Sequence, residues 1–130
     1  DVIQLHGDEN RDYISKLSKE CDCEIWKAVR TKTSADIEAA CLLPVHKLVI
    51  DSYSQSQYGG TGKQVDLEII RQAKITKPVF LAGGLNVKNI AEAISQVKPY
   101  GVDFSSSVET DGFKDEQKIC EIIAAVRNSN

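Results

Sequence analysis

Short apolar runs alternate with amphipathic segments along the chain, and this alternation limits the possible folds more than any other feature. The runs begin near residues 2, 25, 47, 79 and 101, and apolar residues at helical spacing follow each of them. Alternating strands and helices at this interval predict a parallel sheet with helices packed outside it. Two architectures fit the pattern, namely an open doubly wound sheet and part of a (βα)8 barrel.

The periodicity also predicts the approximate bounds of each element. We expect strands at 2–5, 24–29, 47–51, 79–82 and 101–105, and helices at 11–19, 34–41, 66–73, 87–96 and 115–127. Ser34, Asp66 and Asn86 are the expected N-caps of three of these helices, because their side chains can accept a hydrogen bond from the first turn. The interval between the third and fourth strands is enlarged by a polar loop at 52–64. Long loops after parallel strands usually carry function.

Two neighbouring strand ends have the composition of an anion site. The strand at 79–82 ends in Gly83-Gly84, and the strand at 101–105 ends in Ser105-Ser106-Ser107. Glycine lets the backbone approach a ligand closely, and free N–H groups at such turns attract anions. In (βα)8 barrels the phosphate site commonly lies on the loops after strands seven and eight. The barrel interpretation therefore makes the five strands numbers four to eight.

That interpretation implies that residues 1–130 are the C-terminal portion of one barrel domain and that three N-terminal βα units are absent. The chain contains no methionine and begins with Asp1, which points the same way. Five units cannot close a barrel, because the first strand must pair with the eighth. We therefore expect open sheet edges, exposed inner-face residues at Ile3, Val49, Phe80 and Val102, and either self-association or pairing with the N-terminal portion.

The composition argues against several classes of function. The net charge is −3 and no basic stripe is present, which disfavours nucleic acid as a partner. The apolar runs are too short to span a membrane. The four cysteines form no C-x-x-C pair and no zinc spacing, a pattern typical of buried or half-buried thiols in a reducing compartment. The sequence thus predicts a cytoplasmic protein that binds neither nucleic acid nor membranes.

Several spaced motifs together resemble those of one enzyme family. In chain order they are Gln4-Leu5-His6-Gly7, Asp51, Gly59-Gly60-Thr61-Gly62, Leu81-Ala82-Gly83-Gly84-Leu85, Gly101-Val102-Asp103, Ser106, Val108-Glu109 and Lys114-Asp115. The chain is similar in these respects to the C-terminal five-eighths of the phosphoribosylanthranilate isomerases of tryptophan biosynthesis. The resemblance implies an Amadori rearrangement of a phosphosugar substrate without a metal or a cofactor.

The resemblance also implies roles for individual residues. Asp51 occupies the position of the general acid, and a carboxyl at the mouth of a barrel can be partly desolvated, which favours its protonated form. The base is a cysteine on the first strand of the family, outside this chain. Lys118-Ile119-Cys120 resembles the motif around that base, but it lies inside the last predicted helix. None of the four cysteines is therefore a candidate base.

The remaining implied residues bind substrate or close over it. His6, Gly7 and Asp103 are expected to bind substrate, although a structural role for His6 or for Asp103 is nearly as plausible. Gly83, Gly84, Ser106 and Ser107 are expected to hold the 5′-phosphate, with Ser107 replacing the usual glycine. Gly60, Thr61 and Gly62 are expected to form a closing loop. They are not a P-loop, because Gln64 follows Gly62-Lys63 where Ser or Thr is required.

Two alternatives remain at this point. Another phosphosugar barrel, such as a relative of indole-glycerol-phosphate synthase, would need a lysine and a glutamate at strand ends, and this chain shows Asp51 without such a lysine. A non-catalytic phosphate-binding partial barrel, or a folding fragment, would lack the base, as this chain does.

Overall fold

A computed structural model describes residues 1–51 and 67–129, and its centre is a parallel sheet of five strands. The strands are β1 (Val2–Leu5), β2 (Glu24–Val29), β3 (Lys47–Asp51), β4 (Val79–Ala82) and β5 (Gly101–Val102). Their spatial order is the same as their order in the chain, and every neighbouring pair is parallel. The predicted parallel sheet and the bounds of β1 to β4 are confirmed.

The fifth strand is shorter than the sequence predicts. One ladder-like hydrogen bond follows it, from Asp103 N to Leu81 O at 2.9 Å. The chain then turns into a 3-10 helix, Ser106–Val108, instead of continuing as a strand to residue 105. The short strand delivers the serine loop to the edge of the sheet beside the end of β4.

Five α-helices connect or follow the strands. They are α1 (Arg11–Glu20), α2 (Ser34–Cys41), α3 (Leu67–Gln72), α4 (Ile90–Val97) and α5 (Glu116–Arg127). One of the expected N-caps is displaced, because α2 is capped by Thr33 instead of Ser34. Asn89 directly precedes α4 but makes no side-chain capping bond, whereas Asn86 accepts a hydrogen bond on its side chain from Lys88 N at 2.9 Å. The expected cap at Asp66 lies outside the described residues.

A two-stranded antiparallel hairpin follows the 3-10 helix and was not predicted. It consists of β6 (Glu109–Thr110) and β7 (Phe113–Lys114), joined by Asp111 and Gly112. Both turn residues have positive φ, 53° and 81°. An Asp-Gly pair is a strong sequence signal for such a turn. The hairpin brings Lys114 back to the serine loop, where its Nζ donates to Ser105 O at 3.1 Å.

The described helices cover one face of the sheet. Alternate strand residues, including Ile25, Leu48, Ile50 and Leu81, are fully buried in one core with apolar residues of all five helices. Burying an aliphatic side chain of this size stabilises the fold by about 1.5–3 kcal/mol. This face accounts for most of the described hydrophobic core.

The opposite face of the sheet, which we call the open face, carries an aromatic stack instead of helices in the described residues. Trp26 stacks on Phe80 with ring centroids 4.5 Å apart, and Phe80 meets Tyr100 edge-on at 5.5 Å. Val49 on the strand between them is buried, so the expectation that it is exposed was wrong. The expectation that Ile3 and Val102 belong to this face was wrong, because both pack against the helix-side core. The register places Val102 beside Leu81, and side chains alternate between faces along a strand.

The cysteines are mostly shielded. Cys41 is buried and Cys21 and Cys23 are half-buried, as expected, whereas Cys120 is exposed on α5 and corrects the prediction for that residue. Among residues 1–51 and 67–129, no helix combines the length and the apolar character required to cross a membrane.

Candidate functional site

A cleft of about 400 Å³ lies at the carboxyl ends of the parallel strands. Parallel strands bring their carboxyl ends to one edge of the sheet, so residues distant in sequence meet there. Seven of the predicted site residues line this cleft: His6, Asp51, Gly83, Gly84, Asp103, Ser106 and Ser107. The described loops after β1, β4 and β5 and the last residue of β3 thus contribute to one site.

Asp51 is the last residue of β3 and lines the cleft from the centre of the sheet. Its register partner on β4 is Ala82, the residue before the glycine turn. The residue is exposed in this structure. The side chain is therefore accessible to a ligand that enters the cleft.

His6 and Asp103 line the same cleft from the two edge strands. His6 follows β1 directly, and Asp103 follows β5 directly. Both residues are exposed. The backbone of Asp103 is bound to β4 through Leu81 O, which leaves its position fixed by the sheet and its carboxylate at the edge of the cleft.

The glycine turn after β4 requires residues without a side chain. Gly83 and Gly84 have φ values of 75° and 59°, in the left-handed region that other residues adopt only at a cost. The carbonyl oxygen of Gly84 accepts hydrogen bonds from the side-chain amides of Asn86, at 3.2 Å, and Asn89, at 3.0 Å. These two asparagines hold the turn from the helix side.

The serine loop lies beside the glycine turn. Ser106 and Ser107 form the 3-10 helix, and Lys114 binds the carbonyl of Ser105 from outside. A 3-10 helix has negative φ, so Ser107 can replace the usual glycine of the resembling family without backbone strain. The loop contributes two hydroxyl groups to the lining of the cleft.

The charge of the lining determines how an anion could bind. The described lining contains Asp51, Asp103 and His6 but neither lysine nor arginine. A phosphate in this part of the cleft would have to be held by backbone N–H groups and serine hydroxyls, which are effective anion ligands in such turns.

The other predicted site residues do not line the cleft. Gly7 faces a second cavity of about 310 Å³, on the helix side of β1 and β2. Gly60, Thr61 and Gly62 lie outside the described residues. None of the four cysteines is among the residues that line the cleft in the described part of the chain.

Sequence reasoning missed several residues that belong to this region. Gln4, Leu85, Phe104 and Ser105 also line the cleft. Gln4 and Leu85 are part of the motifs on which the resemblance depends, and that membership was the available signal. Lys27 was missed entirely, although a lysine in an otherwise apolar strand is a sign that its charge has a local partner.

Comparisons with known proteins agree with this geometry. The family model for N-(5′-phosphoribosyl)anthranilate isomerase matches residues 1–125. An N-(5′-phosphoribosyl)anthranilate isomerase of Thermoanaerobacter sp. strain X514 is 43% identical over 127 residues, which cover 98% of this chain and 61% of the relative. The chain thus spans about three fifths of the length of such relatives.

Solved structures give the same result. The phosphoribosylanthranilate isomerase of Thermotoga maritima superposes with a TM-score of 0.78 at 32% identity, covering 98% of this chain and 62% of that one. Another isomerase structure, in complex with reduced 1-(o-carboxyphenylamino)-1-deoxyribulose 5-phosphate, gives 0.70 at 27% identity, covering 98% and 59%. The chain therefore belongs to the N-(5′-phosphoribosyl)anthranilate isomerase family.

Proposed function

We propose that this chain supplies strands four to eight of a (βα)8 barrel that isomerises N-(5′-phosphoribosyl)anthranilate to the 1-deoxyribulose 5-phosphate aminoketose in tryptophan biosynthesis. The observation that carries the proposal is the cleft, where Asp51 and the two anion-binding loops meet at one end of the sheet. In barrels, the phosphate loops follow the last two strands, which matches the positions of β4 and β5 here. The solved relative that holds a deoxyribulose 5-phosphate derivative supports the same class of ligand.

The proposed chemistry has two proton transfers. Asp51 gives a proton to the ring oxygen of the ribose, and the bond between that oxygen and C1 breaks, which leaves an iminium between C1 and the anthranilate nitrogen. Removal of the proton from C2 then gives an enamine, which tautomerises to the aminoketose. The acid and the base act on different atoms of the sugar, so they must stand on different sides of it. We assign the acid to this chain and the base to the N-terminal units.

The phosphate is proposed to bind between the glycine turn and the serine loop. Gly83, Gly84, Ser106 and Ser107 would contact it, and His6, Gly7 and Asp103 would orient the rest of the substrate. Binding energy from a remote phosphate can position the reacting end of a substrate for catalysis. The segment with Gly60, Thr61 and Gly62 would close over the sugar, and no cofactor is required in this scheme.

The test is a reconstituted barrel, by which we mean this chain joined to the three N-terminal βα units of the Thermoanaerobacter relative. We expect turnover of N-(5′-phosphoribosyl)anthranilate by the reconstituted barrel and none by the 130 residues alone. The matched control carries Asp51→Asn in the same fusion, which keeps the size of the side chain but cannot donate the proton. Full turnover by the 130 residues, or a folded but inactive fusion, would refute the proposal.

A non-catalytic phosphate-binding partial barrel is the second candidate. The observation that favours it is the cleft lining, which in the described residues includes the glycine turn and the serine loop but no residue to which we assign the base. Inorganic phosphate binding by a well-folded fusion without any isomerase turnover would support this candidate. Both proposals place the protein in the cytoplasm with a phosphorylated small molecule as its ligand.

A further inference from the structure

Lys27 is a charged residue in an apolar position of the sheet. It lies on β2 between Ile25 and Val29, on the face covered by helices, and only 8% of its surface is exposed. A buried ammonium group is costly unless charged and polar partners surround it. Its Nζ has two such partners, Gly7 O at 2.6 Å and Glu9 Oε2 at 3.0 Å.

The partners of Lys27 belong to the loop that carries His6. Glu9 Oε1 also accepts a hydrogen bond from Gly7 N at 2.9 Å. Both polar groups of the Gly7 backbone are therefore bound, one by Glu9 and the other by Lys27. We call these three residues the Lys27 clamp. A side chain at position 7 would place its Cβ 2.9 Å from Glu9 Oε1, so the carboxylate of Glu9 would have to shift to accommodate it.

The ionisation state of Glu9 favours the hydrogen bonds of the Lys27 clamp. Burial by itself would raise the pKa of Glu9, but the hydrogen bonds from Lys27 and from the backbone N–H groups of Glu9 and Gly7 outweigh it. The net result is a pKa below the ordinary value for glutamate. The carboxylate thus stays charged at neutral pH and continues to accept hydrogen bonds from Lys27 Nζ and Gly7 N.

Stability alone is a weak explanation for such an arrangement. A shielded lysine–glutamate pair loses much of its Coulombic attraction to desolvation, and an apolar residue of similar size often serves the core equally well. The pair of Lys27 and Glu9 does constrain the conformation of the backbone immediately after β1. His6 is the residue before Gly7 and lines the cleft on the other side of this loop.

We infer that Lys27 is a positioning residue for substrate binding, acting from the helix side of the sheet through Gly7 to hold His6 at the edge of the cleft. The inference rests on the proposed isomerase function and extends it to a residue that does not contact the cleft. It predicts a specific kinetic pattern. Loss of the clamp weakens substrate binding through His6 and leaves the proton donor at Asp51 in place.

The experiment uses the reconstituted barrel with Lys27→Met and, separately, with Glu9→Gln. We expect Lys27→Met to raise KM for N-(5′-phosphoribosyl)anthranilate by about tenfold, the scale of a lost charge-assisted hydrogen bond, while kcat changes by less than about threefold. Glu9→Gln should raise KM less, because Lys27 keeps Gly7 O. If Lys27→Met does not fold, Glu9→Gln tests the same inference.

The matched control is Lys47→Met. Lys47 forms a second lysine–glutamate pair of the described sheet, with the more exposed Glu24, and its Nζ lies 5.0 Å from the Trp26 ring centroid, near the start of β2 and β3. We expect this variant to lose stability and to keep KM. An unchanged KM in both clamp variants, or an equal rise of KM in Lys47→Met, would overturn the inference.

A second measurement is independent of turnover. Exchange of the Gly7 amide hydrogen should be at least about tenfold faster in Lys27→Met and Glu9→Gln than in the unsubstituted fusion or in Lys47→Met. Unchanged exchange would overturn the clamp itself. If the unsubstituted fusion is folded but does not turn over substrate, the proposed isomerase function and the kinetic role fail together, whereas the exchange result still decides the clamp.

Discussion

Asp51 on β3 and Ala82 on β4 are register partners, and Ala82 is followed directly by Gly83 and Gly84. Neighbouring strands are about 4.8 Å apart, so the residue that carries the carboxyl group and the start of the glycine turn are one strand spacing from each other. A phosphosugar is long enough to bridge this interval. The arrangement separates the group that would transfer a proton from the groups that would hold the phosphate.

The first prediction concerns Asp51 in the reconstituted barrel. Asp51→Asn should lower kcat by about a hundredfold or more, because the amide cannot supply the proton, and general acid catalysis contributes roughly this much. Steady-state kinetics on N-(5′-phosphoribosyl)anthranilate measure the effect. The matched variant is Asp103→Asn. Asp103 lines the same cleft directly after the edge strand β5, and its replacement should mainly raise KM. A kcat within a fewfold of normal in Asp51→Asn would remove the residue from the proposed role.

The second prediction concerns the glycine turn. Gly84→Val should weaken the binding of inorganic phosphate and should also destabilise the fold, because a φ of 59° costs an L-residue about 1–2 kcal/mol. Gly84→Asn separates the two effects, since asparagine tolerates the left-handed region better while its side chain still obstructs the turn. We expect near-normal stability and weak phosphate binding in Gly84→Asn. Tight phosphate binding by this variant would place the anion elsewhere.

The third prediction uses Trp26, which is the only tryptophan in the chain. It is half-buried on the open face, where it stacks on Phe80. Covering the open face with N-terminal units that lack tryptophan should shift its fluorescence to shorter wavelength and reduce quenching by acrylamide. The 130 residues alone should show concentration-dependent self-association by sedimentation, because both edge strands are open to pairing. An unchanged Trp26 spectrum in an active fusion would contradict this account of the open face.

The fourth prediction concerns pH and the start of α2. Backbone hydrogen bonds from Lys32, at 3.0 Å, and from Thr33, at 2.8 Å, lower the pKa of Asp36 from its ordinary value of 3.8. A lowered pKa adds stability above the unfolded-state value, and this stability is lost as the pH falls through the folded-state value. Asp36→Asn should therefore destabilise the chain by about 1 kcal/mol near pH 7 and by much less near pH 3.

Denaturant unfolding at the two pH values measures the difference for Asp36. Glu38→Gln on the same helix is the control for the removal of a carboxylate from α2. An equal loss of stability at both pH values in Asp36→Asn would show that the charge of the carboxylate does not matter there.

The strands were predictable because their signal is local. Strands β2 and β3 are runs of mostly apolar residues, and their bounds follow directly from the sequence. The caps were less predictable, because Thr33 and Ser34 are both good N-caps and only the backbone geometry selects Thr33. Asn86 and Asn89 present the same ambiguity. Asn89 directly precedes α4 without a side-chain capping bond, and the bond expected of a cap is the one that Asn86 accepts from Lys88 N at 2.9 Å.

The site was predictable to the extent that its motifs are contiguous. Gly83-Gly84 and Ser106-Ser107 follow strands directly, so their position at the carboxyl edge follows from the fold. Lys27 could not be predicted in the same way. Its role depends on a loop about twenty residues away, and only the pairing of β1 with β2 brings the two together. The exposure of Asp51 likewise depends on three-dimensional surroundings that no local pattern encodes.

The strand order of the sheet, in which each strand lies beside its predecessor, has a consequence for synthesis of the protein. Each new strand needs only the edge left by the previous one, so no pairing waits for a distant segment. A chain leaving the ribosome could extend this sheet one βα unit at a time, with the growing edge always at the most recent strand. Folding of this sheet can therefore keep pace with translation, and a pause between units would leave a partly formed sheet whose open edge is its most recent strand.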